Sequence, residues 1–350
     1  MGEPRRDPEY RRMELYLRSL ERLGIRLGLD NVHRLLEAIG NPHRRYPAVL
    51  VAGTNGKGSV AAMLAAILRR AGVRTGLYTS PHLLGLEERI AVDGRPIPPD
   101  RLAAGILSLR DTIHSLLRSG ALRTPPTLFE VTTAAAFAYF RAEDVRLAVL
   151  EVGLGGRFDA TNVADPLLSI LTPVALDHQE FLGDTLAGIA ADKLGILRPG
   201  GVLLSGSQTS EVREVIRKTC REQGAAWVEA PQAVRVVRCP TGTVSFLGRR
   251  IEVPPLIPGL AGEHQLDNAA TAVAACEILG GRGFPIPPEA VRDGLAAVQW
   301  PGRLQLLPGR PRWLLDGAHN PAAARVLAEY LRRRDEDPAP VTIFGTLRDK

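Results

Sequence analysis

Apolar and polar residues follow each other along the chain in two kinds of segment. Short apolar runs, such as AVLVA at 48–52 and LAVLE at 147–151, have the length and composition of buried strands. Longer segments repeat Ala and Leu with the spacing of a helix. We predict strands over 48–52, 73–78, 147–151, 168–172, 202–205 and 226–229, and helices over 60–70, 101–117, 131–140, 185–197 and 268–279, with two more helices within 10–40. This repeated strand-then-helix order predicts an α/β fold with a doubly wound, mostly parallel sheet.

The organisation changes at the sequence WPGR, residues 300–303. Before it, the segment 234–253 is predicted to be a small β meander, and we expect residues 1–299 to form one domain. Residues 300–350 begin a second, smaller α/β unit, with a strand over 313–315, a helix over 322–332 and a strand over 341–344. Two strands and one helix are too few to complete a layer. We therefore expect the sequence to be cut short there, with an exposed sheet edge and poor packing against the first domain.

The composition of the 350-residue chain is that of a globular protein, with 45% hydrophobic and 23% charged residues. No apolar stretch reaches the roughly 18 residues of a membrane span, and the N-terminus lacks the apolar core of a secretory signal. Three scattered cysteines argue against disulfides or a zinc site and favour the cytoplasm. The net charge of +6 comes without a basic cluster or aromatic platform, which favours anionic small molecules over nucleic acid or membrane. We also expect a monomer.

The sequence GTNGKGS at 53–59 follows one predicted strand and precedes a predicted helix. A strand, a glycine-rich turn, a lysine and a hydroxyl before a helix form an arrangement that binds nucleotide phosphates. Lys57, which we expect to be exposed on the loop, adds a positive charge, and Ser59 can hold Mg²⁺. The spacing departs from G-x-x-x-x-G-K-[ST], because only two residues separate Gly53 from Gly56. The alternative is an ordinary glycine-rich turn.

Further candidate residues follow other predicted strands, at the sheet edge where open α/β folds bind ligands. Glu151 leads into VGLGGRF, which fails as a dinucleotide fingerprint because Phe158 occupies its last glycine position. We interpret Glu151 as a metal ligand and the glycines as admitting a substrate close to the backbone. His178 is a second candidate ligand; Mg²⁺ prefers oxygen donors, so Mn²⁺ would suit the imidazole better. A structural carboxylate and a hydrogen-bonded core histidine are the alternatives.

Two more positions have both a chemical and a structural interpretation. Lys193 lies in the apolar sequence IAADKLGI, where a lowered pKa would let the neutral amine take up CO₂ as a carbamate. The alternative is a lysine that is exposed or paired with Asp192. Asp316 lies in DGAHNP, which either forms a turn or brings Asp316 across a cleft to a nucleotide. The sequence leaves these alternatives open.

Together these motifs resemble those of the folylpolyglutamate synthase/dihydrofolate synthase family of the Mur ligase superfamily. The matching stretches, in family order, are VAGTNGKGSV, YTSPHL, TLFEVTT, LEVGLGGRFDATN, ALDHQEFLG, IAADKLGIL, GEHQLDNAA, WPGRLQ, LLDGAHNP and FGTLRDK. EVGLGGRFDATN distinguishes the chain from the peptidoglycan Mur ligases, which share the phosphate loop. One departure is Gln305, where the family commonly has Glu.

The resemblance implies a Mur-ligase-like P-loop ATPase domain over 1–299. Residues 300–350 would be the incomplete beginning of a Rossmann-like C-terminal glutamate-ligase domain. The implied reaction uses ATP to phosphorylate the carboxylate of a folate or dihydropteroate, and the amine of L-glutamate then displaces the phosphate. Mg²⁺ is the implied cofactor, with Mn²⁺ and K⁺ as further candidates.

The resemblance also implies roles for individual residues. The implied catalytic residues are Lys57, Lys193 and His178. The implied ATP contacts are Thr54, Asn55, Gly56, Lys57, Gly58, Ser59, Asn268, Arg303 and Asp316. The implied substrate contacts are Ser80, Thr127, Leu128, Phe129, Glu130, Phe158, Asp159 and Ala160. The implied metal ligands are Ser59, Glu151, His178 and Lys193 as a carbamate, and we predict that Glu151 and His178 converge on one ion.

Two other functions fit parts of the sequence. One is a ligase with a different substrate, such as a Mur-type peptide ligase, which would need a UDP-sugar peptide. The other is a truncated, inactive nucleotide-binding protein. The sequence also leaves open whether a folate ligase of this kind is a dihydrofolate synthase, a folylpolyglutamate synthase or both.

Overall fold

The computed structural model describes residues 7–24, 26–333 and 341–346. The strands are β1 (Ala48–Ala52), β2 (Thr75–Tyr78), β3 (Ile90–Val92), β4 (Arg95–Pro96), β5 (Leu147–Glu151), β6 (Pro166–Leu171), β7 (Val202–Ser205), β8 (Ala226–Glu229), β9 (Arg235–Arg238), β10 (Val244–Leu247), β11 (Glu252–Leu256), β12 (Gln305–Leu307) and β13 (Trp313–Leu315). The helices are α1 (Pro8–Glu21), α2 (Asp30–Ala38), α3 (Lys57–Arg70), α4 (Pro99–Arg118), α5 (Leu128–Ala142), α6 (Gln179–Leu182), α7 (Leu186–Lys193), α8 (Ser210–Gln223), α9 (Ala230–Ala233), α10 (Glu263–Gly280), α11 (Pro288–Ala297) and α12 (Pro321–Arg332).

The main sheet has eight strands in the order β4-β3-β2-β5-β1-β6-β7-β8. The six strands from β2 to β8 in this order run parallel, whereas β3 and β4 extend one edge in antiparallel pairing. Apolar residues of the helices form two clusters with the sheet between them. The predicted α/β class and the doubly wound, mostly parallel sheet are confirmed.

Strand β1 lies near the middle of this sheet and is buried along its whole length. Leu50 belongs to the cluster that contains α1, α2, α4 and α5, whereas Val49 and Val51 belong to the cluster that contains α3, α10 and α11. This alternation follows from the two-residue period of a strand. Because both faces are covered, the strand is apolar throughout, as in other parallel sheets. The chain leaves β1 at the centre of the sheet's carboxyl edge.

Two smaller sheets follow the main one. Strands β9, β10 and β11 form an antiparallel sheet, which confirms the predicted meander. Strands β12 and β13 pair antiparallel, and the first of them was missing from the sequence prediction. Helix α12 follows them and buries none of its residues, and Trp313 of β13 is 49% exposed.

The prediction of a strand over 341–344 is wrong. Residues 341–346 form neither helix nor strand, and Val341 and Ile343 are 93% and 81% exposed. An apolar run becomes a strand only when a neighbouring strand pairs with its backbone, and the described residues place none beside this segment. The rest of the FGTLRDK motif, 347–350, lies outside the described residues.

The sequence prediction also omitted α8, α11 and the short strands β3 and β4. Helix α8 is mostly polar and buries only Val212, Ile216 and Cys220, which share one face at a spacing of four residues. Strands β3 and β4 have three and two residues, too few for a periodic pattern. Of the helices in 7–24, 26–333 and 341–346, none combines the length and apolarity needed to cross a bilayer.

One buried polar side chain, His43, lacks a hydrogen bond at Nδ1. Its ring packs against Phe137 of α5 with a centroid distance of 5.6 Å. Burial lowers the pKa of His43 to about 4, and the positive charge of Arg44 acts in the same direction. The core therefore holds a neutral imidazole at neutral pH.

We expect the free energy of unfolding to fall as the pH drops from 6.5 towards about 4. In this window the unfolded chain binds a proton at His43 and the folded chain does not, so protonation favours unfolding by about 2 kcal/mol at pH 5. The free energy of unfolding, measured with urea across this pH range, should decline less steeply for His43→Phe than for the parent. The exposed His114→Gln variant is the control and should follow the parent. An unchanged slope in His43→Phe would contradict the assignment.

Candidate active site

A cavity of about 980 Å³ opens at the carboxyl edge of the main sheet. It is bordered by the segments that follow β1, β2, β5 and β6, together with the N-terminal end of α10 and residues 303–304 and 316–319. Every residue to which the sequence resemblance assigned a role lines this cavity, except Lys193. The topology thus gathers residues that are up to 262 positions apart, from Thr54 to Asp316, around one space.

The loop after β1 is packed too closely for side chains. Gly53 has φ +142°, and a Cβ there would overlap Thr172 Oγ1 and lie 2.8 Å from the Thr172 carbonyl oxygen. Gly56 has φ +86°, and its Cβ would lie 2.6 Å from Asn268 Oδ1 of α10. Helix α3 begins directly after Gly56, so its first N–H groups, which have no intrahelical partner, lie at the cavity. This geometry suits an anionic group such as a phosphate.

Thr54 fastens this loop to the segment after β6. Its hydroxyl donates to the Ala175 carbonyl and accepts from the Ala175 N–H, both at 3.0 Å. The backbone N–H groups of Thr54 and Asn55 donate to the Pro173 carbonyl at 3.0 and 3.3 Å. The phosphate loop and the segment that carries His178 therefore keep a fixed relation to each other.

Lys57 is not an exposed loop residue, and that expectation is wrong. It is the first residue of α3, is half-buried, and donates from Nζ to the Thr54 carbonyl at 3.1 Å. Burial lowers the pKa of Lys57, and the negative charges of Glu151 and Asp177 oppose this shift. Helix α3 starts three residues earlier than the apolar pattern indicates, so Lys57 belongs to the helix and not to the loop before it. Lys57 is thus a positive charge held in a confined, partly dehydrated place.

Glu151 ends β5 and is 5% exposed. Its Oε2 accepts from the Ser80 N–H at 3.0 Å, which places Ser80 at the cavity wall beside this carboxylate. Burial raises the pKa of Glu151, and the charge of Lys57 counteracts the rise. Carboxylate and lysine therefore form an electrostatically coupled pair at the ends of neighbouring strands.

His178 lines the same cavity and immediately precedes the short helix α6. Its φ of +51° is in the left-handed region, which costs free energy for a residue with a Cβ. Within the described ranges, no three His, Cys, Asp or Glu side chains lie close enough together to hold a metal ion. A cation here would need other oxygen donors in addition to Glu151 and His178, such as the Ser59 hydroxyl. The predicted convergence of Glu151 and His178 on one ion stays a prediction.

Lys193 ends α7, is 5% exposed and lies behind the cavity wall rather than in it. Burial lowers the pKa of Lys193 to about 7, and the positive charge of Lys57 acts in the same direction. A large fraction of this amine is therefore neutral at neutral pH. The alternative of an exposed lysine is excluded.

The glycines that follow Glu151 make room for protein neighbours, and because Gly153 also lines the cavity, the expected approach of a substrate to this backbone stays a prediction. A Cβ at Gly156 would lie 2.5 Å from the Lys193 carbonyl oxygen, and one at Gly153 would lie 2.6 Å from the ring of Phe129. The missing side chains thus allow the loop to pack directly on the turn that carries Lys193. Glycines in a loop indicate that another group lies close to the backbone, but the sequence does not identify that group.

Several predicted substrate contacts are occupied by bonds within the protein. The Asp159 carboxylate accepts from the N–H groups of Gly153, Leu154 and Thr161 and from the Thr161 hydroxyl. The Glu130 carboxylate accepts from the Thr127 N–H and hydroxyl, and the Thr127 hydroxyl in turn accepts from the Glu130 N–H.

These contacts form a turn around Asp159 and a capping box at the start of α5. They shape the cavity wall, where Leu128, Phe129, Phe158 and Ala160 also lie. Phe158 is 44% exposed, and its ring offers an apolar surface to a flat ligand.

The sequence analysis missed Gln265. This residue of α10 is 1% exposed, donates from Nε2 to Ser59 Oγ at 3.3 Å, and accepts from Asn268 Nδ2 at 3.0 Å. The predicted helix begins at 268, whereas α10 begins at Glu263, so the sequence prediction did not place Gln265 one turn before Asn268 on the same helix. Helix α10 thus contacts the phosphate loop at Gly56 and at Ser59.

The segment after α11 closes the other side of the cavity. Asp316 accepts from the N–H groups of Leu304 and Ala318 at 2.9 and 2.8 Å, and Arg303 donates to the Gly302 carbonyl at 3.0 Å. The Trp300 indole covers the phosphate loop so closely that a Cβ at Gly58 would lie 2.9 Å from its Nε1.

A parallel sheet with a phosphate-type loop after a central strand, and a buried lysine and carboxylate beside it, defines a nucleotide-binding enzyme of the P-loop ATPase kind. No family model matches the chain. The dihydrofolate synthase/folylpolyglutamate synthase of Bacillus subtilis is 35% identical over 335 residues, covering 94% of this chain and 77% of that protein. The corresponding protein of Mycobacterium tuberculosis is 37% identical over 343 residues, covering 92% and 70%. The chain belongs to the folylpolyglutamate synthase/dihydrofolate synthase family.

Solved structures agree with this assignment. The apo form of folylpolyglutamate synthase from L. casei has a TM-score of 0.86 and 34% identity, covering 94% of this chain and 81% of that one. The M. tuberculosis folylpolyglutamate synthase complexed with ADP and AMPPCP has a TM-score of 0.85 and 35% identity, covering 94% and 75%. The predicted Mur-ligase-like fold is confirmed.

We expect Gly53→Ala to lower the free energy of unfolding by about 2 kcal/mol or more, because the new Cβ meets the Thr172 backbone and the φ is unfavourable. Urea unfolding monitored by circular dichroism measures the change. Gly280→Ala is the matched control, since no atom lies within 4 Å of its Cβ position, and it should be neutral or stabilising. Equal unfolding midpoints for the two variants would contradict the packing described for the loop.

Proposed function

We propose that this protein is an ATP-dependent ligase that joins L-glutamate to the carboxylate of a folate or dihydropteroate through an acyl phosphate. The observation that carries the proposal is the shared cavity, where the phosphate loop and Lys57 face residues 127–130 and 158–160. Membership of the family, and the existence of a folylpolyglutamate synthase structure with AMPPCP and folate at a TM-score of 0.85, support it.

The chemistry explains why these groups are needed. A free carboxylate and an amine do not condense at neutral pH, so the γ-phosphoryl group of ATP first passes to a carboxylate oxygen. The neutral amine of glutamate then attacks the acyl carbon, and phosphate leaves from the tetrahedral intermediate. Phosphoryl transfer requires mainly positioning and neutralisation of charge. Lys57 supplies a fixed positive charge beside the N–H groups of α3.

The ATP side of the cavity comprises nine residues that we propose as nucleotide contacts. They are Thr54, Asn55, Gly56, Lys57, Gly58, Ser59, Asn268, Arg303 and Asp316. Their support is the start of α3 directly after Gly56, whose first N–H groups lie at the cavity, and the position of all nine on the cavity wall.

We propose that Ser59, Glu151, His178 and Lys193 as a carbamate hold Mg²⁺. A hydroxyl, a carboxylate and a carbamate are the oxygen donors that Mg²⁺ prefers, and Mn²⁺ accepts the histidine as well. When bound, the cation neutralises phosphate charge. Glu151 is buried beside Lys57, so few water molecules compete with a cation for this carboxylate.

On the folate side, we propose that the pterin lies against Phe158 and Phe129, with Ser80, Thr127, Leu128, Glu130, Asp159 and Ala160 shaping the pocket. The Asp159 carboxylate acts by stabilising its own turn, and the Glu130 carboxylate acts by stabilising the capping box at the start of α5. We further propose an ATP-binding domain over residues 1–299 and the beginning of a glutamate-ligase domain over 300–350. The three free thiols support a reducing, cytoplasmic location, and we propose a monomer.

The direct test is formation of a glutamyl product and ADP from ATP, L-glutamate and either dihydropteroate or tetrahydrofolate, followed by mass spectrometry. Product with one or both pterins supports the proposal and identifies the activity. Product only with a UDP-sugar peptide would indicate a Mur-type ligase, and nucleotide binding without any product would indicate an inactive protein.

We expect Lys57→Ala to lower the ligation rate by about 10²–10³-fold while the protein stays folded, because one preorganised positive charge is removed from the phosphoryl-transfer site. Steady-state rates with saturating ATP measure the effect. Lys218→Ala, an exposed lysine of α8, is the control and should behave as the parent. A Lys57→Ala rate within about threefold of the parent would contradict the role.

We expect Lys193 to take up CO₂ as a carbamate. Its pKa of about 7 means that the neutral amine grows in proportion as the pH rises through 7. A carbamate signal in ¹³C NMR with labelled bicarbonate should therefore increase between about pH 6 and pH 8. The signal should disappear in Lys193→Gln and persist in Lys218→Ala. A signal that survives in Lys193→Gln would assign the carbamate elsewhere.

A further inference from the structure

Asn320 connects three segments that are far apart in the chain. It is 5% exposed and lies just before α12, behind the cavity wall rather than in it. Its Oδ1 accepts from the Ala323 N–H at 2.9 Å and from Asn55 Nδ2 at 3.3 Å. Its Nδ2 donates to Asn55 Oδ1 at 3.0 Å and to Asp177 Oδ2 at 3.3 Å. All four hydrogen-bonding positions of this one amide are used.

Helix capping alone does not account for this residue. The N-cap function needs only the oxygen that accepts from Ala323, and Ser, Thr or Asp would serve equally well. The two donor contacts need the amide nitrogen. A carboxylate in its place would lie against the Asp177 carboxylate and would leave Asn55 Oδ1 without its donor. The contacts with Asn55 and Asp177 therefore require asparagine at position 320.

The partners of Asn320 belong to the two segments that shape the nucleotide site. Asn55 is part of the phosphate loop, and Asp177 precedes His178. The loop of Asp316, which precedes Asn320, also lines the cavity. Partly buried hydrogen bonds across 265 and 143 residues of chain thus connect the loop, the His178 segment and the start of α12.

We propose that Asn320 is a positioning residue that couples α12 to the phosphate loop, so that nucleotide binding depends on the Asn55–Asn320–Asp177 bridge. This inference rests on the proposed nucleotide site. Asn320 touches no substrate and acts by orienting Asn55 and Asp177. Loss of the bridge removes the contacts that Asn320 makes with Asn55 and Asp177 and frees the loop to adopt other arrangements.

The test uses the 350-residue protein and AMPPCP as the probe, with affinity measured by calorimetry. Asn320→Ser keeps an acceptor for the α12 cap but is too short to reach Asn55 or Asp177. We expect it to weaken AMPPCP binding by about tenfold and to lower the ligation rate, with the KM for the pterin unchanged. Asn320→Asp, which has the same size, should also weaken binding because of Asp177.

Asn55→Ser and the Asn55→Ser/Asn320→Ser double variant complete a double-mutant cycle. If Asn320 acts through Asn55, the double variant should bind AMPPCP about as weakly as Asn55→Ser alone, because Asn55→Ser already removes both the bridge and its own nucleotide contact. Thr209→Ala, which removes the cap of α8 away from the cavity, is the control for lost capping and should keep the parent affinity.

Two results would overturn the inference. One is parent-like AMPPCP affinity in both Asn320→Ser and Asn320→Asp, and the other is fully multiplicative losses in the double variant. If Asn320→Ser fails to fold, Asn320→Asp with Asn55→Ser decides the question. A parent protein that binds AMPPCP but forms no glutamyl product would contradict the proposed function, and the bridge would still be judged on AMPPCP affinity.

Discussion

The close contact between the end of β1 and the end of β6 is the constraint on which the cavity depends. A strand buried on both faces delivers the chain to a point where Gly53 has no room for a side chain beside Thr172. Thr54 then pairs with Ala175, and α3 begins three residues further on. Because the loop is held on one side by the sheet and on the other by α10, its N–H groups are oriented before any ligand arrives. Preorganisation of this kind is what a phosphate site requires.

The same confinement explains the electrostatics of the site. Burial lowers the pKa of both Lys57 and Lys193, and the positive charge of Lys57 adds to the shift of Lys193. Glu151 has a raised pKa for the corresponding reason and is stabilised as a carboxylate by Lys57. In a site of low dielectric constant, each of these charges interacts more strongly with an incoming phosphate or cation. The site therefore holds charges that the neighbouring protein groups compensate only in part.

The segment from Trp300 to α12 has two different sides. On the side towards the cavity, several contacts hold it. Trp300 packs closely on Gly58, Asp316 accepts from the backbone N–H of Leu304, and Asn320 donates to Asn55. Away from the cavity, α12 buries no residue and Trp313 is half exposed. The outer side of this segment is therefore loosely covered, whereas its inner side is joined to the phosphate loop by partly buried hydrogen bonds. The expected poor packing against the first domain stays a prediction.

The amino-acid sequence by itself determined the fold class, the phosphate loop and six of the eight strands of the main sheet. Strands β1, β5, β7, β8 and β13 have the predicted bounds, because a strand's length and burial are written in consecutive residues. Only the tertiary structure decided what the polar side chains contact. The glycines after Glu151 face Phe129 and Lys193, the Asp159 carboxylate is used within its own turn, and Gln265 and Asn320 bridge distant segments. Local patterns indicate the period of helices and strands and the chemistry of turns, whereas contacts between distant segments form only when the strands and helices assemble.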